Sequence, residues 1–130
     1  MYMLDTNICI YIIKKRPKRI LEKFETLEND SLRLSVITQA ELQYGVEKSS
    51  FPNRNQQALD DFLSRLVVKP WNAEAAVQYG RIRKQLEKKG TPIGNMDLLI
   101  AAHAISATYT LVTNNLREFG RVSGLECENW

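Results

Sequence analysis

The chain is predicted to be an α/β protein, a parallel sheet with helices on its flanks, and three observations support this. Short apolar runs alternate with stretches whose apolar residues repeat at helical spacing. Gly and Pro punctuate the joins, most clearly at Gly90-Thr91-Pro92-Ile93-Gly94. An acid, Asp5, emerges directly from the first apolar run, and the carboxyl ends of strands are where open α/β sheets gather ligands.

Tyr2 to Leu4 is expected to be a short buried strand, with Thr6 or Asn7 capping a helix that runs to about Lys15. Pro17 restarts the chain, and Ile20, Leu21, Phe24 and Leu27 mark the next helix. Asn29-Asp30-Ser31 is a turn, Leu32 to Ile37 a strand, and Thr38 to about Lys48 a helix. Ser49 to Asn55, with Pro52, is expected to be a loop. The stripe Leu59, Phe62, Leu63 and Leu66 is core, followed by a Val67-Val68 strand closed by Pro70. Asn72 caps a long helix that carries Ala75, Tyr79, Ile82 and Leu86 on one side. Beyond the Gly90–Gly94 loop, a helix runs to about Ser106 with Asp97 in its first turn. Tyr109 to Val112 is a strand, and the tail after Gly120 ends in one more.

At 130 residues the chain has the length of one domain. It is 44% hydrophobic and 25% charged, and no apolar run approaches the ~20 residues of a membrane span. The first apolar stretch ends at Lys14 and lacks the flanks of a signal peptide. Cys9 and Cys127 are too few for a disulfide framework or a zinc site, so the expected compartment is the cytoplasm. The net charge of +3 is unevenly spread: Lys14, Lys15, Arg16, Lys18 and Arg19 form one basic group, and Arg81, Arg83, Lys84, Lys88 and Lys89 another. Such groups attract phosphate backbones without reading sequence, or are simply solvated helix faces.

Asp5, Glu41 and Asp97 each fall in, or just before, the first turn of an expected helix, where the helix dipole favours the ionised form. Carboxylates gathered on one spot repel unless a cation joins them, and hard oxygen ligands suit Mg²⁺ or Mn²⁺. Each acid also has a plainer explanation. Thr38-Gln39-Ala40-Glu41 matches a capping box, and Asp97 suits any first turn. Nothing local in the sequence explains Asp5. His103, six residues after Asp97, lies on another side of the helix and is expected to be a packing or surface residue. Asn7 is expected to cap or brace the Asp5 loop rather than bind metal. Trp71 and Trp130 are too isolated to stack bases.

Four segments, in register, carry a resemblance. They are Met3-Leu4-Asp5-Thr6-Asn7; Ile37-Thr38-Gln39-Ala40-Glu41-Leu42 with Tyr44-Gly45; Pro92-Ile93-Gly94-Asn95-Met96-Asp97 and the Leu98–Ala104 run; and Leu111-Val112-Thr113-Asn114-Asn115 with Arg117-Glu118-Phe119. Over nearly its whole length the chain resembles the VapC toxin ribonucleases of the PIN-domain superfamily. The resemblance implies a single nuclease domain, a three-layer α/β/α sandwich with a central, mainly parallel sheet. It implies Mg²⁺-dependent endoribonuclease activity, in which metal-activated water cuts RNA to leave 5′-phosphate and 3′-hydroxyl ends. By position Asp5, Glu41 and Asp97 match the family's acids, with Asp5 and Asp97 as metal ligands. Many relatives carry an acid where this chain has Asn114-Asn115, so either Glu118 or Asn115 fills the fourth place. Thr6 and Thr113 position water or phosphate, or only cap a helix or turn.

The implied partners are a VapB-type antitoxin, seated on helices between about Ile20 and Leu66, a second copy of the chain, and an RNA substrate. Related enteric toxins act on the anticodon loop of initiator tRNA, so tRNA cleavage and inhibited translation are expected. A second reading is a degenerate PIN-like domain that only binds RNA or a partner. A distant third is a phosphatase or phosphoryl transferase, which usually wants a second Asp where this chain has Asn7.

Overall fold

The computed structural model describes residues 1–130, the side chain of residue 29 excepted. Five strands form one sheet: β1 (Tyr2–Leu4), β2 (Leu32–Ser35), β3 (Val67–Lys69), β4 (Thr110–Val112) and β5 (Cys127–Glu128). Seven helices join them: α1 (Thr6–Lys14), α2 (Lys18–Thr26), α3 (Val36–Glu47), α4 (Pro52–Leu63), α5 (Ala73–Lys89), α6 (Asn95–Ala107) and α7 (Leu116–Phe119). The strand order is β3-β2-β1-β4-β5, and every pairing is parallel. The chain winds outward from β1 through β2 to β3, then returns to the other side of β1 as β4. The order therefore reverses between β1 and β4, and the carboxyl ends of those two strands frame the crevice where such sheets bind ligands.

The two-residue period of the strands sorts the core into two layers. Leu4, Leu34 and Val112 face α1 to α4, where they pack with Ile8, Ile12, Phe24 and Phe62. Met3 and Leu111 point the other way, onto Ile82 and Leu86 of α5, Ile100 and Ala101 of α6, and Phe119 of α7. This is the expected α/β/α sandwich.

Several expected boundaries move. β2 ends at Ser35 and α3 begins at Val36, because the Ser35 hydroxyl accepts the Ile37 N–H and starts the helix two residues early. Thr38 is therefore buried inside α3 rather than capping it, with no partner for its hydroxyl, and the capping box with Glu41 does not form. Glu41 lies in the second turn, where the helix-start argument does not apply. Pro52 to Asn55 open α4 instead of extending a loop, with Pro at the first helical position where its missing N–H costs nothing. Asn72 caps α5 as expected, accepting from the Ala75 N–H at 3.1 Å.

The acidic site at the strand ends

Asp5 directly follows β1 and is itself the N-cap of α1, accepting the Ile8 N–H at 2.9 Å. The expected caps, Thr6 and Asn7, are instead the first two residues of the helix. Asp5 thus has a local role after all, although a cap alone does not require burial, and Asp5 is only 4% exposed. Its backbone N–H donates to Val112 O at 3.0 Å, which locks it beside Thr113 at the end of β4. Burial raises its pKa, and the Glu41 charge adds to this. The Thr113 hydroxyl and the N–H groups of Ile8 and Asn7 work in the opposite direction. The Asn7 side chain is exposed, so Asn7 braces Asp5 through its backbone only.

The other acids come from different elements. Glu41, on α3, accepts a 2.6 Å hydrogen bond from the Thr6 hydroxyl, which ties α3 to the start of α1. Glu118 lies in α7, a four-residue helix that carries no helical period in the sequence. Its Oε1 accepts the Gly94 N–H at 2.8 Å and its Oε2 accepts from Asn115 Nδ2 at 3.0 Å. Asn115 also caps α7 through Oδ1, and its own N–H is held by Thr113 Oγ1 at 2.9 Å. The two candidates for the fourth place lie together, with Asn115 Nδ2 donating to the Glu118 carboxylate. A Cβ built on Gly94 would stand 3.7 Å from Glu118 Oε1 and 3.8 Å from Asp97 Oδ2, so these two carboxylates face one spot.

Asp97, in the first turn of α6, stands apart electrostatically. Its pKa rises to about 6, first through burial and then through the charges of Glu118, Glu41 and Asp5. Asp5, Glu41 and Glu118 each have a neutral hydrogen-bond donor, whereas nothing lowers Asp97. Glu118 is held below its usual range, chiefly by the Gly94 N–H and then by Asn115. Asp97 feels the charges of all three other acids, and among the described residues no lysine or arginine forms an ion pair with any of the four. An all-oxygen anionic donor set of this kind fits a hard divalent cation. No three His, Cys, Asp or Glu side chains among the described residues stand as a ready-made metal site.

Other candidates fall away. His103 is buried on another side of α6 from Asp97, its Nδ1 2.7 Å from Ser35 Oγ, so it packs α6 against the start of α3. Burial pushes the Cys9 thiol far up, and the Asp5 charge adds to it, which leaves no nucleophile there. Trp130 stacks edge-on against Tyr2 at 6.1 Å and belongs to the core. Tyr11 is a site neighbour that sequence reasoning missed: its hydroxyl accepts from Asn114 Nδ2 at 2.9 Å and bridges α1 to the loop after β4. No periodic signal marks such a contact between residues so far apart in the chain.

The model of the PIN domain family matches residues 2–125. Ribonuclease VapC2 of Rickettsia felis is 52% identical over 130 residues, covering 99% of this chain and 97% of that protein. The tRNA(fMet)-specific endonuclease VapC of Salmonella typhimurium is 47% identical over 129 residues, with the same coverage. The crystal structure of VapBC2 from Rickettsia felis, bound to a DNA fragment from its promoter, matches with a TM-score of 0.94 and 51% identity. That match covers 99% of this chain and 98% of the other.

Proposed function

The chain belongs to the PIN-domain family, among its VapC ribonucleases, and from that membership we propose that it is a metal-dependent endoribonuclease, the toxin of a toxin–antitoxin pair. The observation that carries this reading is the gathering of Asp5, Glu41, Asp97 and Glu118 near the reversal point of the sheet, with Asp97 raised to about 6 by burial and then by the other three. The position of Glu118, held by Gly94 and Asn115 and facing Asp97, supports the nuclease reading over a degenerate, binding-only domain.

Asp5 and Asp97 would hold the cation, Mg²⁺ or Mn²⁺, with Glu118 and Glu41 beside them. A divalent ion there supplies Lewis acidity toward a phosphodiester and toward water. The chain's own groups do the positioning. Thr6 fixes the Glu41 carboxylate, while Gly94 and Asn115 fix Glu118 in its ionised form. Asp97, raised to about 6 by burial and then by the neighbouring carboxylates, is the acid whose ionised form a bound cation would favour most. In-line attack on phosphorus leaves 5′-phosphate and 3′-hydroxyl ends, without using the 2′-hydroxyl.

The substrate class is RNA, and the tRNA(fMet)-specific name of a relative points to a tRNA, cut in an exposed anticodon loop whose bases can be splayed out. Such cutting would inhibit translation. The partner is a VapB-type antitoxin, as the VapBC complexes of relatives suggest, and a homodimer of this chain would be the assembling unit. A cavity of about 330 Å³ between α1, α3 and α4, lined by Ile10, Ile13, Leu42 and Leu59, runs up to Glu41 and suits an antitoxin segment. Its α3 and α4 lining falls within the Ile20 to Leu66 stretch, and α1 adds Ile10 and Ile13.

Incubating antitoxin-free protein with total tRNA, in Mg²⁺ or in EDTA, tests the reading when the cut ends are mapped. Cutting that needs the divalent ion and disappears in Asp5→Asn and Asp97→Asn supports it. Cutting indifferent to both substitutions ends it.

A further inference from the structure

One face of the molecule beside the acids is fixed more tightly than an idle surface needs. Tyr79 of α5 donates its hydroxyl to Asn95 Oδ1 at 2.9 Å, and Arg83 donates from Nη1 to the same hydroxyl at 2.8 Å. Behind Tyr79, Trp71 packs edge-on at 6.3 Å, and its indole N–H is tied to Leu99 O at 3.0 Å. The Arg83 Nε lies 3.5 Å from Glu87, so the planar guanidinium is held from two sides while its side chain stays 53% exposed. With Oδ1 occupied, the Asn95 amide is oriented so that Nδ2 remains available to donate. A cavity of about 140 Å³ opens among Arg83, Glu87, Pro92, Ile93, Asn95 and Leu98.

The location gives this arrangement its meaning. Asn95 directly follows Gly94, whose N–H holds Glu118, and precedes Asp97 by two residues in the same helical turn. We propose that Tyr79, Arg83 and Asn95 form a nucleotide subsite of the nuclease, which seats one unpaired RNA base immediately beside the bond that is cut. The assignment rests on the nuclease reading and adds a specificity element to it. Unstacked bases are recognised by stacking on aromatic rings or arginine planes and by hydrogen bonds to their edges. The Arg83 plane and the free Asn95 amide donor line the cavity and supply a stacking surface and an edge contact, while Tyr79, with Arg83 5.9 Å from its ring centre, holds both in place. Glu87 lines the same cavity and repels phosphate, so this face suits an uncharged base rather than the backbone. That sets it apart from Arg81, Lys84 and Lys88, exposed charges for which the structure gives no such framework.

The test uses the full chain with Mg²⁺ and a single-stranded RNA oligonucleotide that it cuts at one mapped bond. An abasic ribose replaces each nucleotide near that bond in turn, for the unaltered chain, R83Q, Y79F and a charge-matched control, R81Q. Phe keeps the packing on Trp71, and Arg83 is exposed, so both variants retain the core. The expected result is one abasic position next to the cut that lowers kcat/KM roughly tenfold, the scale of one stacking contact. R83Q and Y79F lower kcat/KM on intact RNA to a similar degree, and the abasic change then costs little more. R81Q keeps the whole abasic penalty. A penalty that persists in R83Q and Y79F, is missing at every position, or vanishes equally in R81Q overturns the subsite. Failure of the nuclease reading shows itself separately, as no cutting at all or as cutting that survives Asp5→Asn, and it takes the subsite with it.

Discussion

Asp97 is the residue on which the acids' repulsion falls, and its protonation links the site to the stability of the fold. Its folded pKa of about 6 lies above the ordinary 3.8, so the metal-free fold prefers Asp97 protonated. That contribution is complete below about pH 4 and is lost as pH rises through 6. Asp97→Asn removes the charge, so in EDTA at pH 7 it is expected to raise the unfolding midpoint. Because Asp97 is only half-buried, solvent screening trims the gain to roughly 1–2 kcal/mol. Thermal melts at pH 4 and pH 7 check this: the gap between the two proteins should close at pH 4. RNA cutting by the same variant should fall roughly a hundredfold or more. Thr6 works at one remove, through the 2.6 Å bond that steadies Glu41. Thr6→Val keeps the shape and loses that bond. Cutting is expected to drop roughly tenfold, with stability changed by less than ~1 kcal/mol, as single-turnover rates and melts would show.

At the scale of elements, α7 is the piece most dependent on fine geometry. It has four residues, is capped by Asn115, and exists to present Glu118 to Gly94 and Asp97. Gly120 closes it: an added Cβ would lie 2.5 Å from Leu116 O, the carbonyl that accepts the Gly120 N–H. Gly120→Ala should therefore open this turn, cost ~1–3 kcal/mol and reduce cutting by displacing Glu118. Gly80, inside α5 and open to solvent, makes the contrast. Gly80→Ala is expected to stabilise by up to ~1 kcal/mol and leave cutting unchanged, in the same pair of measurements. These two glycines also show what the sequence made legible. α5 was evident because seventeen residues repeat their apolar face and begin with a capping Asn. α7 was not, because four residues cannot display a helical period. The start of α3 was misplaced because β-branched Val36 and Ile37 continue the strand's composition, while the true cap, Ser35, looks like an ordinary strand residue. Asp5, Glu41 and Asp97 were each visible as acids, but Glu41's hold on Thr6 and Glu118's on Gly94 join residues far apart in the chain.

Across the whole molecule, the acids belong to both helical layers. Asp5 and Glu41 come from the α1 and α3 side of the sheet, Asp97 and Glu118 from the α6 and α7 side. Their mutual repulsion pushes the two layers apart at the very edge where β1 and β4 end, and the hydrophobic core resists it from below. A cation shared by both pairs would turn that repulsion into a cross-link between layers. Its effect should then appear in global unfolding and not only in activity. Ligand binding to the folded state alone adds RT ln(1 + [L]/Kd), about 2.7 kcal/mol at a hundredfold excess over Kd. Titrating Mg²⁺ or Mn²⁺ into the metal-free protein should raise the unfolding midpoint by several degrees, whereas K⁺ at matched ionic strength should not. Asp5→Asn keeps the helix cap and Asp97→Asn relieves the repulsion, so both variants fold, and both should lose most of the divalent response. A flat response from the unaltered chain would mean that the layers are not bridged, and that the four carboxylates meet for some purpose other than holding a metal.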